Sequence, residues 1–269
     1  MTIFQAIILG IVQGVTEFLP ISSQAHLYLV PYFFGWDYQG LNFDIALHGG
    51  TLLAVLLVFG KDYLNILKEL IRPLPNPPHA WGGSRRMAWY LVLGSIPAAV
   101  VGFLLQKHAE TTFRNPLIMV FTLAGFGLLL WVADKTSPSP QSSPLKGEEE
   151  RLDWKKVLGI GAAQAIAIVP GVSRSGVTMT AGLFSGLNRQ RAARFSFLLS
   201  GPIIFGVFLF TLPDLVSVNT QLLAGFFASA ISGAVAIKFL LNYLTRKGFG
   251  LFVWYRLVLA GIILVKFLI

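Results

Sequence analysis

The residues best suited to chemistry fall in two short polar stretches, and the first runs from Gln13 to His26. Gln13 and Glu17 are four residues apart, so on a helix they share one face and can direct two oxygens to a single point. Such a pair suits a hard divalent cation, Mg²⁺ or Ca²⁺, whose other ligands are water and phosphate. The alternative is that Glu17 only pairs with Arg174 and neutralises a buried charge.

Pro20 breaks the predicted helix soon after Glu17, and Ser22, Ser23 and His26 follow the break. A serine at a helix start more often caps the helix than acts as a nucleophile. Beside Glu17, however, these hydroxyls and the imidazole could fill the roles of acid, base and nucleophile. We therefore treat Ser23 and His26 as candidate catalytic residues and Ser22 as a candidate phosphate ligand.

The second polar stretch, Pro170–Thr178, has the composition of an anion site. Gly171 permits a tight turn, and the N–H groups and dipole of the helix that follows favour a negative charge. Arg174 adds a planar fork that matches phosphate oxygens. Three hydroxyls accompany it, those of Ser173, Ser175 and Thr178. The alternative, a hydroxyl-rich helix cap with ordinary packing, leaves an arginine among apolar segments unexplained.

The elements that must position these residues are those of a membrane protein. Of the 269 residues, 55% are hydrophobic and only 12% are charged, and the mean hydropathy is +0.69. So much apolar surface does not fit a soluble domain. The net charge of +9 comes from basic residues between apolar stretches, which does not indicate nucleic-acid binding. The absence of cysteine excludes disulfides and thiolate metal ligands.

Six stretches are long and apolar enough, at roughly 20 residues, to span a bilayer. They are Phe43–Gly60, Met87–Gln106, Pro116–Val132, Phe195–Leu212, Gln221–Leu241 and Leu251–Ile269. Two further apolar regions are interrupted, Thr2–Phe34 at Glu17–His26 and Val157–Leu187 at Pro170–Thr178. Each half is too short to span, so we predict two re-entrant helix–loop–helix hairpins. Glu17, His26 and Arg174 are then the ionisable groups expected inside the membrane.

The charge of the loops gives a topology. If both hairpins re-enter, 15 basic loop residues lie on the cytoplasmic side and two lie outside, as the positive-inside rule requires. The hairpins then enter from opposite faces and meet near the midplane, as in an inverted repeat. The stretch from Gln13 also resembles the stretch from Gln164, with a one-residue offset. We predict one all-α membrane domain with halves 1–133 and 157–269, joined by a flexible cytoplasmic loop, 134–156.

The two polar stretches resemble the undecaprenyl-diphosphate phosphatase family, also called the bacitracin-resistance protein family. Gln13–Ser23 with His26 looks like its (Glu/Gln)-x-x-x-Glu motif and Ser/His loop, and Pro170–Thr178 looks like its PGxSRSxxT motif. The resemblance covers most of the chain. At Gln24 and Ala25 the family usually has Ser/Thr and Gly, so one candidate hydroxyl is missing here.

The resemblance implies a bacterial inner-membrane enzyme that removes the terminal phosphate of undecaprenyl diphosphate, recycles the lipid carrier for peptidoglycan synthesis and confers bacitracin resistance. We expect a site open to the outer face that depends on a divalent cation held by Gln13 and Glu17. Its diphosphate ligands would be Ser22, Gly171, Ser173, Arg174, Ser175 and Thr178. The expected partners are the polyprenyl diphosphate substrate and membrane lipids. Nucleic acid is not an expected partner, and the sequence leaves open whether the protein forms a homodimer. The rival interpretation is a transporter or lipid flippase built on the same inverted repeat.

Overall fold

The structure is a computed structural model that describes residues 1–37, 40–71, 84–110, 115–137, 152–212 and 218–268. Over this part of the chain it is all-helical. Its helices are α1 (Ile3–Phe18), α2 (Ser23–Phe34), α3 (Leu41–Ile71), α4 (Ser84–Glu110), α5 (Pro116–Thr136), α6 (Trp154–Ile166), α7 (Arg174–Phe184), α8 (Arg189–Thr211), α9 (Thr220–Tyr243) and α10 (Gly250–Leu268).

All six predicted spans are confirmed as helices long and apolar enough to cross a membrane: α3, α4, α5, α8, α9 and α10. Several of them extend beyond the predicted ends. The 31 residues of α3 correspond to about 46 Å at 1.5 Å per residue, well beyond a hydrocarbon core of about 30 Å. Basic residues assigned to loops therefore lie on helices. Lys61 is at the start of the last third of α3, and Arg189 is the first residue of α8.

Both interrupted regions form two short helices, but the interruptions differ from the predicted ones. The first break covers only Leu19–Ser22, so Glu17 remains on α1 while Ser23 and His26 belong to α2. The second break begins earlier than predicted, at Ala167, and ends at Ser173, immediately before α7. The polar residues thus lie mostly on helix ends, whose backbone restricts their positions.

Close helix contacts through glycine hold the short helices in the bundle. A Cβ added at Gly10 of α1 would overlap the carbonyl of Gly225 on α9. A Cβ added at Gly161 of α6 would likewise overlap the carbonyl of Gly94 on α4. Small residues of this kind allow membrane helices to approach at backbone distance. Large apolar side chains such as Phe103 and Phe121 face outward, as expected for a surface covered by lipid.

The predicted loop 134–156 lies mostly outside the described residues. Its described ends are partly helical, since α5 continues to Thr136 and α6 begins at Trp154. Asp134 is buried at the end of α5, where it accepts a 2.5 Å bond from Arg189 Nε and a 3.0 Å bond from the backbone N–H of Phe249. This ion pair fastens α5 to the starts of α8 and α10.

Candidate active site

Glu17 is the centre of the candidate site. It is buried at the end of α1, and its carboxylate accepts three side-chain hydrogen bonds. Gln13 Nε2 donates to Oε2 at 3.2 Å, Ser23 Oγ donates to the same oxygen at 2.5 Å, and Arg174 Nη2 donates to Oε1 at 3.0 Å. The structure therefore brings together four predicted site residues from three helices, and Glu17 and Arg174 are 157 positions apart in the chain.

Arg174 forms an ion pair with Glu17, the contact foreseen in the charge-neutralising alternative. Its side chain is 12% exposed and that of Glu17 is 7% exposed. Its Nη1 lies 3.5 Å from the carbonyl of Ser196, and its buried Nε has no hydrogen-bond partner among the described residues. Because one donor of the guanidinium is unused, the arginine retains capacity for a further acceptor.

Ser22 and Ser173 precede α2 and α7 and share an unusual backbone conformation. Their φ angles are +75° and +71°, and among the described residues no other non-glycine residue has a positive φ. Conformations of this kind cost of order 1–3 kcal/mol and occur often at functional sites. Ser22 Oγ accepts from the N–H of Gly171 at 3.2 Å instead of capping its own helix. This bond joins the two breaks directly.

The hydroxyls of the second break are engaged within the protein. Ser173 Oγ accepts from the N–H of Gly176 at 3.2 Å, as a helix cap does. Ser175 Oγ donates to the carbonyl of Leu19 at 3.0 Å, a second link between the breaks. Thr178 Oγ1 lies 2.6 Å from Ser196 Oγ and packs α7 against α8. These residues thus position the start of α7.

His26 faces another direction. Its Nδ1 lies 2.7 Å from the carbonyl of Ser22, and its Nε2 lies 2.6 Å from the hydroxyl of Tyr255 on α10. Within the described part of the chain, no hydrogen bond connects His26 with Glu17, Ser23 or Arg174. The structure therefore divides the predicted catalytic set into a Glu17–Ser23–Arg174 cluster and a separate His26–Tyr255 pair.

Arg256 is a functional candidate that the sequence reasoning missed. It lies on α10, is fully buried, and donates six hydrogen bonds to backbone carbonyls. Two of the acceptors belong to α5, and the other three belong to the breaks: Pro20, Gly171 and Val172. Carbonyls of broken helices need internal partners at membrane depth, and one guanidinium supplies them for both breaks. The signal was present, since an arginine stands in the middle of an apolar span.

Two oxygens could hold a cation. Gln13 Oε1 is buried and has no hydrogen-bond partner among the described residues, and the Glu17 carboxylate lies beside the same side chain. Among those residues, no group of three or more histidine, cysteine or acidic side chains has a metal-binding arrangement. Amide and carboxylate oxygens are the ligand types that a hard ion takes together with water and substrate oxygens.

An apolar groove reaches the first break from the lipid side. It has a volume of about 770 Å³ and runs between α1 and α9. On α1 it is lined by Ile7, Ile11 and Val15, which cover about 12 Å along the helix, and it ends at Leu19 in the first break. Ser232 is its polar lining residue, and Leu19 is the same residue whose carbonyl binds Ser175. The groove thus opens toward lipid and ends at the first break.

The chain is similar to known proteins over its whole length. A family model described as bacitracin resistance protein BacA matches residues 6–262. A protein named undecaprenyl-diphosphatase from Pelotomaculum thermopropionicum is 51% identical, over 97% of this chain and 95% of the relative. Another of that name from Moorella thermoacetica is 48% identical, over 99% and 98%. Undecaprenyl-diphosphatase 2 from Stutzerimonas stutzeri is 46% identical, over 99% of each chain.

Proposed function

The chain belongs to the family of bacitracin resistance protein BacA, and on that premise we propose that it hydrolyses undecaprenyl diphosphate. The products are undecaprenyl phosphate and inorganic phosphate, so the lipid carrier is recycled for peptidoglycan synthesis and bacitracin resistance follows. The observation that carries the proposal is the Glu17–Ser23–Arg174 cluster at the meeting point of the two breaks. It unites a carboxylate, a hydroxyl and a guanidinium, which can serve as base, nucleophile and phosphate ligand in phosphoryl transfer.

Arg174 and the start of α7 would bind the diphosphate. The unused Nε of Arg174 supports this role, as does its place as the first residue of α7, where helix N–H groups point outward. Ser173, Ser175 and Thr178 would assist by fixing the helix start rather than by direct contact.

Glu17 would act as the base. The 2.5 Å bond from Ser23 Oγ supports transfer of the serine proton to the carboxylate while Oγ attacks the terminal phosphorus. The anhydride bond then breaks, undecaprenyl phosphate leaves, and water releases the phosphate from Ser23. Direct attack by a water that Glu17 deprotonates, and attack by His26, remain the alternatives. A phosphorylated enzyme trapped on Ser23 would select the first route, and one trapped on His26 the last.

Gln13 and Glu17 would hold the divalent cation. When bound, Mg²⁺ or Ca²⁺ would neutralise charge on the diphosphate oxygens. The unpartnered Gln13 Oε1 supports this placement. Arg174 already pairs with Glu17, so the ion and the guanidinium would share the carboxylate.

We further propose that α1–α2 and α6–α7 are re-entrant hairpins of an inverted repeat in the bacterial inner membrane, with the site open to the outer face. Their helices have 16, 12, 13 and 11 residues, too few to span about 30 Å. A single shift of 151 positions relates Gly10 to Gly161, Gln13 to Gln164 and Ser22 to Ser173. Both glycines of the first pair make close contacts with a neighbouring helix, both glutamines are buried, and both serines have a positive φ. Pro20 and Pro170 are 150 positions apart, so the one-residue offset noted in the sequence remains at the prolines.

The groove between α1 and α9 would take part of the polyprenyl tail. Its apolar lining and its end at Leu19 support entry of the substrate sideways from lipid, with the diphosphate directed at the breaks. A homodimer stays a prediction.

Phosphate release from undecaprenyl diphosphate by the purified chain in detergent micelles tests the proposal. We expect phosphate release by the wild type and a rate about 100-fold or more lower in Arg174→Lys. The ammonium group of lysine is a point charge and cannot make the paired hydrogen bonds of the planar guanidinium. Arg189→Lys is the matched control, since Arg189 pairs with Asp134 away from the breaks. A transporter without hydrolase activity would release no phosphate in micelles, which have no second compartment.

A further inference from the structure

We propose that Tyr255 is a positioning residue for His26, holding its imidazole so that Nε2 carries the reactive lone pair during phosphate removal. The inference rests on the proposed function and, within it, on the alternative route in which His26 reacts instead of Ser23. Tyr255 lies on α10, 229 positions from His26 in the chain.

Two contacts define the pair. The Tyr255 hydroxyl lies 2.6 Å from His26 Nε2, and the two rings are stacked with centroids 5.6 Å apart and planes 12° apart. The hydroxyl therefore restrains one nitrogen while the ring restrains the plane of the imidazole. On the opposite edge of the imidazole, the carbonyl of Ser22 lies 2.7 Å from Nδ1.

The chemistry of these partners assigns the proton. A carbonyl only accepts hydrogen bonds, so Nδ1 of His26 carries a hydrogen and donates it to Ser22. In the neutral imidazole the lone pair is then on Nε2, where the Tyr255 hydroxyl donates to it. If Nε2 gains a proton, the same hydroxyl turns and accepts from it. Tyr255 thus serves both protonation states without movement of either ring.

The fold fixes Tyr255 through its neighbour in the chain. Arg256 binds the carbonyls of both breaks, including that of Pro20, two positions before Ser22. The residue that anchors α10 to the breaks is therefore adjacent to the one that restrains His26. Any role of His26 in attack on phosphorus or in proton transfer must use Nε2, beside the Tyr255 hydroxyl.

Tyr255→Phe is the test, because it removes one oxygen and keeps the stacked ring. Tyr90→Phe is the matched control, since it removes a tyrosine hydroxyl that donates to the carbonyl of Leu152 at 2.9 Å. Loss of the partner that orients a metal-bound histidine costs about 10–100-fold in activity, and we take the same range for the partner of His26. We expect that fall in kcat for Tyr255→Phe with KM changed by less than about threefold, and values near those of the wild type for Tyr90→Phe.

Nitrogen-15 NMR of the histidine rings supplies a readout independent of turnover. We expect the Nε2 resonance of His26 to shift in Tyr255→Phe and not in Tyr90→Phe. An active wild type with unchanged kcat in Tyr255→Phe would overturn the inference, whether or not the resonance shifts, and would leave the proposed function standing. A wild type that releases no phosphate would instead overturn the proposed function, and an unshifted resonance would then show that Tyr255 does not restrain the imidazole.

Discussion

Breaking the Glu17–Arg174 pair separates its two interpretations, a catalytic cluster and simple neutralisation of a buried charge. Glu17→Gln keeps the size of the side chain and removes its charge, so Arg174 remains buried at 12% exposure without a counter-ion. Removing one partner of a buried pair typically costs about 3–5 kcal/mol. We expect that loss in the free energy of unfolding, measured by denaturant titration in micelles.

The double variant Glu17→Gln/Arg174→Met restores the balance of charge. Replacing both members of a buried pair by neutral side chains is often neutral or stabilising, so we expect stability within about 1 kcal/mol of the wild type. Phosphate release per folded molecule should stay about 100-fold or more below the wild type, because carboxylate and guanidinium are both absent. Stability and activity are therefore expected to diverge in this variant.

The Asp134–Arg189 pair is the matched control. Asp134 is also buried, its ion pair measures 2.5 Å, and it fastens helix ends away from the breaks. Asp134→Asn should lower stability by a similar amount while the rate per folded molecule stays unchanged. Recovery of both stability and phosphate release in the Glu17/Arg174 double variant would refute the catalytic interpretation and leave neutralisation as the function of the pair.

Three further outcomes follow from the packing and the donor set. Arg256→Met should abolish phosphate release and destabilise the protein, since each break carbonyl left without a donor costs about 1–3 kcal/mol. Retained activity would show that the two breaks keep their structure without Arg256. Gly14→Ala should lower unfolding stability by about 1–3 kcal/mol because its Cβ would overlap the backbone of Ser229, whereas Gly159→Ala, with open space around its Cβ, should not. Chelation by EDTA should stop phosphate release, and added Mg²⁺ or Ca²⁺ should restore it. The Gln13→Leu variant should need about tenfold more cation for the same rate. A rate unaffected by EDTA would remove the cation from the proposal.

The spans could be predicted from sequence because length and apolarity are properties of one contiguous stretch. Their ends could not, because the polar ends of long helices such as α3 read as loops by composition. Pro20 and Gly171 marked both breaks correctly. The bond between Ser22 Oγ and the N–H of Gly171 has no local signature, since its partners are 149 positions apart.

The contacts within the site were predictable only where they are local. The spacing of Gln13 and Glu17 predicted a shared face, and the structure gives a hydrogen bond between them. The partner of His26 could not be predicted, because Tyr255 looks like any aromatic residue of a span. Arg256 was detectable as a charged residue in an apolar stretch, but its acceptors are backbone carbonyls, which every residue carries.

The position of Arg256 in the chain has a consequence for biosynthesis. Chains emerge from the ribosome in order, and α10 follows every other described helix. The earlier helices can enter the membrane before α10 exists, but the carbonyls of both breaks gain their shared guanidinium only when it arrives. Insertion of the spans and completion of the site are therefore separate events, and a nascent chain ending before α10 would be embedded in the membrane with its two breaks unjoined by Arg256.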